Sequence, residues 1–361
     1  MSSAAGPRIA TDGLVLAYDS ANTQKSWLGQ PTTNLLANPT NEVIGTTSEF
    51  VQYADLASIF DTYGTGVTYS LSLELKSKVP GNILAYMQNG SVTKYSFVNS
   101  SITATTEYQR FTFNGLTAAI STPTETRAVL AFYGVYGSGR IPSIRNVQVE
   151  INNFATPFVN GTRANTQAVI DLTGNNTITA TSLTYASSGT FSFNGTSDSV
   201  VAPFNASTFT FNNEQTIIMW MTNQAPSALR RNPYNQAYAG AGTITHEPSY
   251  AFNYYYGTQG GNGSPYTALG SSFTVLVGET AFVAVTRNIS TTSWYKNGTF
   301  SNSGGNPYGS TVLTGTQPIT IGNGYAGYFG GSIYNVQVYN RALTANEIAQ
   351  NFNAQRGRYG L

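Results

Sequence analysis

The stretch VTYSLSLELKS, residues 67–77, decides the fold class, because its side chains alternate between apolar and polar. One face carries the apolar residues Val67, Tyr69, Leu71, Leu73 and Leu75, and the other carries Thr68, Ser70, Ser72, Glu74 and Lys76. Alternation with a period of two is typical of a β-strand with one buried and one solvated face. Similar stretches recur between Gly, Asn and Ser turns from about residue 40 to residue 158, at the spacing of a β-sandwich.

The strand pattern restarts after the loop ATPFVNGTRANTQ, residues 155–167, with stretches such as QTIIMWMTN (215–223) and AFVAVTRN (281–288). Asn297-Gly298 predicts a hairpin, since both residues tolerate a positive φ. A helix is predicted only near the end, where Thr344 and Glu347 have the spacing of a capping box. We therefore predict an all-β protein of two sandwich domains with a short C-terminal helix.

Composition excludes several classes of protein. Only 9% of the 361 residues are charged, but 24 are Tyr and 19 are Phe. Burial of so many aromatic side chains can offset the entropy lost on folding, so a disordered chain is not expected. Net charge is +1 without a basic stripe, so nucleic acid is not an expected partner. Cysteine is absent, which excludes disulfides and thiolate zinc sites. The start, MSSAAGPRIATDG, lacks a signal-peptide pattern and no apolar run spans a bilayer, so we expect synthesis in the cytoplasm without membrane insertion.

Motifs for catalysis are missing from the sequence. No E-x-D-x-x-E spacing places paired carboxylates on one strand, although a pair assembled from separate strands stays open. His246 is the only histidine, and we expect it to lie in a surface loop before Pro248. We predict no enzyme activity, no cofactor and no metal. Asp171 and Asp198 could hold calcium, but we favour a role as turn formers.

Several motifs resemble a known family. They are GLVLAYDSAN (13–22), DLTGNNT (171–177), FSFNGTSDSVV (191–201), WYKNG (294–298) and GSIYNVQVYNRALTANEIAQNF (331–352). Their succession is similar to that of concanavalin A-like lectin/glucanase (laminin G-like) sandwiches, of the kind found in virion structural proteins of tailed bacteriophages, notably cyanophages.

The resemblance also implies a domain organisation. In the family pattern the first two motifs lie close together, whereas Asp19 and Asp171 are far apart here. Residues 12–36 and 160–361 would then form one concanavalin A-like sandwich, and residues 37–159 would form an inserted jelly roll that resembles a carbohydrate-binding module. Residues 1–11 are expected to be an N-terminal arm.

Binding residues are predicted in AFNYYYGTQGGNGSPYTALG, residues 251–270. Tyr254, Tyr255, Tyr256 and Tyr266 lie among Gly and Asn, a chemistry suited to a glycan or a subunit contact. Because residues 254 and 256 share one face of a strand and residue 255 the other, part of this group must be core or interface. Packing therefore stays open as an alternative.

The resemblance implies a phage virion structural protein: a fibre, decoration or tail-associated component. Its expected location is the virion, and its expected partners are other virion proteins, further copies of itself as a homo-oligomer and, weakly, host surface glycan. The alternative is a dedicated lectin-like module for bacterial surface polysaccharide. A glycan hydrolase is the third hypothesis.

Overall fold

A computed structural model describes residues 8–88, 92–184, 190–223 and 228–361. The chain divides into two compact units, one formed by Met1–Gln30 with Asn165–Leu361 and the other by Pro31–Ala164. We call the first the large unit and the second the inserted unit. Among the described residues, no helix combines the length and the apolar character needed to cross a bilayer.

Both units are built mainly of antiparallel strands, which confirms the predicted all-β class. Along the described chain the elements are β1 (Leu14–Asp19), β2 (Thr32–Thr33), β3 (Phe50–Asp55), α1 (Ala57–Tyr63), β4 (Thr68–Ser77), β5 (Gly81–Met87), β6 (Tyr95–Ser96), β7 (Asn99–Ala104), β8 (Gln109–Thr117), β9 (Ala119–Ile120), β10 (Val129–Tyr133), β11 (Pro142–Glu150), β12 (Thr162–Arg163), β13 (Thr179–Thr181), β14 (Phe193–Asn194), β15 (Ser199–Ala202), β16 (Gln215–Asn223), β17 (Arg231–Ala237), β18 (Gly242–His246), β19 (Phe252–Gly257), β20 (Tyr266–Gly270), β21 (Thr280–Arg287), β22 (Thr291–Lys296), β23 (Thr299–Gly305), β24 (Ile319–Ile321), β25 (Gly330–Tyr339) and α2 (Ala345–Gln355).

The large unit is a sandwich of two sheets. One sheet has the strand order β1-β25-β16-β21-β22-β23, with β14 also paired to β25, and the other has the order β13-β15-β24-β17-β18-β19-β20. Strand β16 is buried along its whole length because both of its faces are covered. Ile217 and Met219 pack in the core with residues of both sheets, whereas Ile218 and Trp220 pack with Ile348 of α2.

The inserted unit is a smaller sandwich, with the sheets β3-β10-β5-β7 and β11-β4-β8 around a separate core. Tyr69, Leu71, Leu73 and Leu75 of β4 are fully buried, as their alternation predicts. The polar face of β4 is not solvated as predicted, because Ser70 and Ser72 are also buried. Ser70 donates to Glu150, and Ser72 accepts from Arg110, so hydrogen bonds replace water there.

The predicted hairpin and the predicted C-terminal helix are confirmed. Asn297 and Gly298 take φ values of 51° and 76° between β22 and β23. Thr344 and Glu347 form the reciprocal hydrogen bonds of the capping box. Helix α1 was not predicted, because its seven residues are too few to show a helical period; it buries Ala57, Ile59 and Phe60.

The N-terminal segment is attached to α2 rather than free. The Ala10 N–H donates to Asn351 Oδ1 at 2.7 Å, and the Tyr339 hydroxyl donates to the Ala10 carbonyl at 2.9 Å. Within the arm expected at residues 1–11, residues 1–7 lie outside the described residues. The remainder belongs to the surface of the large unit.

Candidate functional site

Strand β19 divides the predicted tyrosines between core and surface. Tyr254 and Tyr256 are each 1% exposed and pack in the core of the large unit. The Tyr254 hydroxyl lies 2.7 Å from Gln215 Oε1, and Tyr256 accepts from the Thr292 hydroxyl at 3.1 Å. The prediction of a glycan or subunit contact is therefore wrong for these two residues, because their rings cannot reach a ligand without unpacking the core.

Tyr255 and Tyr266 lie instead on the outer side of the same sheet, where two further tyrosines join them. Tyr266 packs edge-on against Tyr238, with ring centroids 5.2 Å apart, and Tyr238 lies 4.9 Å from Tyr325. Tyr255 lies 6.1 Å from Tyr266 and 6.4 Å from Tyr325. We call these four residues the tyrosine surface. Tyr266 is 48% exposed and Tyr325 43%.

Loops present two members of this surface. Tyr238 directly follows β17, and its N–H donates to Asn262 Oδ1 at 3.3 Å. Tyr325 belongs to the loop between β24 and β25, which Asn232 holds in place. Asn232 Oδ1 accepts from the Ala326 N–H at 2.6 Å, and its Nδ2 donates to the Ile244 carbonyl at 3.1 Å. The rings are thus positioned by backbone hydrogen bonds on a rigid sheet.

An ion pair borders the tyrosine surface. The Arg230 guanidinium lies over the Tyr255 ring, 5.9 Å from its centroid, and Arg230 Nε is 3.4 Å from Glu247 Oε2. Burial, followed by the nearby Tyr255, raises the pKa of Tyr325 to about 12. Like any tyrosine hydroxyl that is protonated at neutral pH, the Tyr325 hydroxyl can donate a hydrogen bond. The surface offers aromatic faces for stacking, with hydroxyl, guanidinium and carboxylate groups beside them.

Two members of the tyrosine surface were not predicted from the sequence. Tyr238 and Tyr325 each precede Ala-Gly in a glycine-rich stretch, and a large aromatic residue in such a turn is a signal of exposure. Their proximity to Tyr255 has no local signal, since it depends on the pairing of β17 with β18 and β24.

Asp171 forms a turn. Its Oδ1 accepts from the Ala17 N–H at 2.9 Å and the Thr173 N–H at 3.1 Å, while Oδ2 accepts from the Asn176 N–H at 3.1 Å. Asp198 Oδ2 accepts from the Asn194 N–H at 2.9 Å, and burial raises the pKa of Asp198. Across the described ranges, no three His, Asp or Glu side chains come together as metal ligands.

His246 is buried, contrary to its expected place in a surface loop. It is the last residue of β18, pairs with Phe252 and is 2% exposed. Its ring centroid lies 4.8 Å from that of Phe252, and burial lowers the pKa of its imidazole. Strand β18 was not predicted, and it includes His246 because β19 supplies a partner that local sequence does not reveal.

Comparison with known proteins identifies part of the large unit. Residues 194–349 match the concanavalin A-like lectin/glucanases superfamily. The match contains strands β15 to β25 and all four residues of the tyrosine surface. It supports the predicted concanavalin A-like domain over these residues, and it does not extend into the inserted unit. No curated protein matches the chain.

Solved structures of similar fold include receptor-binding regions of toxins. Botulinum neurotoxin type C, whose cell entry depends on interaction with two ganglioside molecules, aligns at 14% identity and a TM-score of 0.43, covering 53% of this chain and 50% of the toxin chain. The binding domain of botulinum neurotoxin DC, in complex with rat synaptotagmin II, aligns at 13% identity with the same TM-score and coverage. A Trypanosoma rangeli sialidase aligns at 17% identity and a TM-score of 0.40, covering 52% and 31%. The alignments therefore span about half of each toxin chain and less than a third of the sialidase chain.

Proposed function

We propose that the protein is a non-catalytic, lectin-like binding protein that recognises a bacterial surface glycan through the tyrosine surface. The observation that carries this proposal is the convergence of Tyr238, Tyr255, Tyr266 and Tyr325 on one exposed face. A tyrosine combines an apolar ring, which can stack on the apolar face of a sugar, with a hydroxyl that can bond to sugar hydroxyls. The Arg230–Glu247 pair adds directional hydrogen-bonding groups at the border.

A glycan array of bacterial polysaccharides tests this function. Wild-type protein is expected to give a saturable signal that Tyr266→Ala or Tyr325→Ala weakens at least about tenfold, a loss of about 1.4 kcal/mol. Phe300→Ala is the matched control, because Phe300 is 54% exposed on β23 and is not part of the tyrosine surface. Equal binding by all four proteins, or silence across the array, would contradict the proposal. Release of reducing ends from a bound polysaccharide would contradict the absence of catalysis.

We also propose that this binding serves a tailed-phage particle, in which the chain is a fibre, decoration or tail-associated component and forms a homo-oligomer. The support is the resemblance of the motifs at 13–22 and 331–352, which fold as the neighbouring strands β1 and β25 followed by α2. Mass spectrometry of purified particles should detect the chain in stoichiometric amounts, and light scattering should give a mass that is a multiple of 38.6 kDa. A monomer absent from particles would contradict this setting.

A further inference from the structure

A second aromatic surface lies on the inserted unit, on the outer side of the sheet β3-β10-β5-β7. Tyr133 of β10 pairs with Phe50 of β3, and the neighbouring Ala131 pairs with Tyr86 of β5. The Phe50 and Tyr86 rings lie 6.5 Å apart, and the Tyr133 ring lies 5.1 Å from that of Tyr136. We call Phe50, Tyr86, Tyr133 and Tyr136 the outer aromatic face.

A strained turn presents the most exposed ring of this face. Val135 has a φ of 71°, which is strongly disfavoured for a β-branched side chain, and it is 48% exposed. The turn is maintained by the Tyr136 N–H, which donates to the Tyr133 hydroxyl at 3.1 Å, and by the Ser138 hydroxyl, which lies 2.6 Å from the Val135 carbonyl. The result is a Tyr136 side chain that is 69% exposed. Strain combined with an exposed aromatic residue is a pattern of binding sites rather than of packing.

Uncharged polar side chains border the outer aromatic face. On β7, Asn99 lies opposite Tyr86 and Ser101 lies opposite Leu84, and Thr103 is the next outward residue. Thr103 donates to Asn82 Oδ1 at 2.9 Å. All three β7 residues and Asn82 are exposed, so amides and hydroxyls stand beside the rings. One cation and one anion lie at the edge: Arg140 Nη1 donates to the Asn82 carbonyl at 3.2 Å, and Glu49 Oε1 accepts from the Gly139 N–H at 3.2 Å. Both charged groups already bond to the backbone and are opposite in sign, so the composition complements a hydroxyl-rich ligand without net charge.

We propose that the inserted unit carries a second binding site, in which the outer aromatic face binds a neutral glycan chain. The rings of Tyr86, Tyr133 and Tyr136 stack on sugar faces, and Asn99 and Ser101 bond to sugar hydroxyls. The site is independent of the tyrosine surface, because the two lie on different units.

Affinity electrophoresis of the full-length chain tests this site. Native gels contain dextran, yeast mannan or larch arabinogalactan as neutral probes, and the background variant carries Tyr266→Ala with Tyr325→Ala to weaken the tyrosine surface. We expect this variant to be retarded by at least one probe. Adding Tyr136→Ala should raise the polysaccharide concentration needed for half-retardation at least about tenfold. The conservative Tyr136→Phe, which keeps the ring, should retain most of the retardation.

Tyr63→Ala provides the matched control, since Tyr63 is 45% exposed at the end of α1 and is not part of the outer aromatic face. It should leave retardation unchanged. Absence of retardation by every probe, or retardation that Tyr136→Ala does not change, would overturn the second site. Neither result would contradict the tyrosine surface, because the glycan array tests that surface with the inserted unit unchanged. Concentration-dependent sedimentation that Tyr136→Ala abolishes would overturn the second site as well, because the face would then bind a second copy of the chain.

Discussion

Arg287 is a buried cation held mainly by backbone oxygens. It is 1% exposed, and its guanidinium donates to the Asn212 and Asn213 carbonyls at 3.2 and 3.3 Å, to the Phe211 carbonyl and to the Tyr254 hydroxyl. Arg287→Met would leave the buried Phe211 carbonyl and the buried Tyr254 hydroxyl without this donor. We expect a loss of at least about 3 kcal/mol in the free energy of unfolding, measured by urea denaturation.

Lys25→Met, on the exposed loop after β1, is the control for Arg287→Met. It should change the free energy of unfolding by less than about 0.5 kcal/mol. If Arg287→Met were as stable as this control, the carbonyls would have to find other donors or water. The residue would then be a packing element rather than the hydrogen-bonding centre of this part of the core.

Helix α2 depends on the carboxylate of Glu347. That group accepts from the Thr344 N–H at 2.9 Å and from Arg341 Nη1 at 3.0 Å, and its hydrogen bond with Arg341 is the main reason that the pKa of Glu347 falls to about 2. A carboxyl group whose pKa is lower in the folded chain stabilises it fully above the unfolded pKa and loses that effect as pH falls. The stability of the large unit should therefore decrease between about pH 4.5 and pH 2.

Glu347→Gln should remove this part of the acid transition. It should also lower the free energy of unfolding at pH 7 by about 1 kcal/mol, a modest value because the Arg341–Glu347 ion pair is partly exposed and screened by solvent. Urea unfolding followed at several pH values measures both effects. Glu107→Gln, at an exposed site of the inserted unit, should leave the pH profile unchanged. An identical acid transition in wild type and Glu347→Gln would contradict this role of the capping box.

At the scale of the whole molecule, the large unit needs a strand that precedes the inserted unit. Strand β1 pairs with β25, and Val15, Leu16 and Tyr18 contribute to the core of the large unit. Each such side chain contributes about 1.5–3 kcal/mol, so their joint loss is comparable to the whole stability of an ordinary domain, about 5–15 kcal/mol. Deletion of residues 13–19 should therefore abolish or greatly lower the calorimetric transition of the large unit.

The inserted unit serves as the internal control for this deletion, since its core contains no residue of β1. Its own transition should persist at an unchanged temperature. If a chain of residues 165–361 alone unfolded as cooperatively and at the same temperature as the large unit of the full-length protein, the strand would be dispensable. Strand β1 would then belong to the large unit without contributing to its stability.

Features that depend only on neighbouring residues could be predicted from the sequence alone. The alternation in β4 and in Tyr254–Tyr256, the positive φ of Asn297-Gly298 and the capping box at Thr344 are all properties of a few adjacent positions. The all-β class follows from the alternation, since a period of two cannot bury one face of a helix. The family motifs predicted a concanavalin A-like sandwich, and residues 194–349 match that superfamily.

Which side chains meet, and which are covered, could not be predicted without the folded chain. Tyr238, Tyr255 and Tyr325 come together because β17, β18, β19 and β24 are neighbours in one sheet, and His246 and Ser70 are buried because distant elements cover them. The physical reason is that side-chain direction within a strand is a local property, whereas burial and proximity depend on strand pairing between residues far apart in the chain.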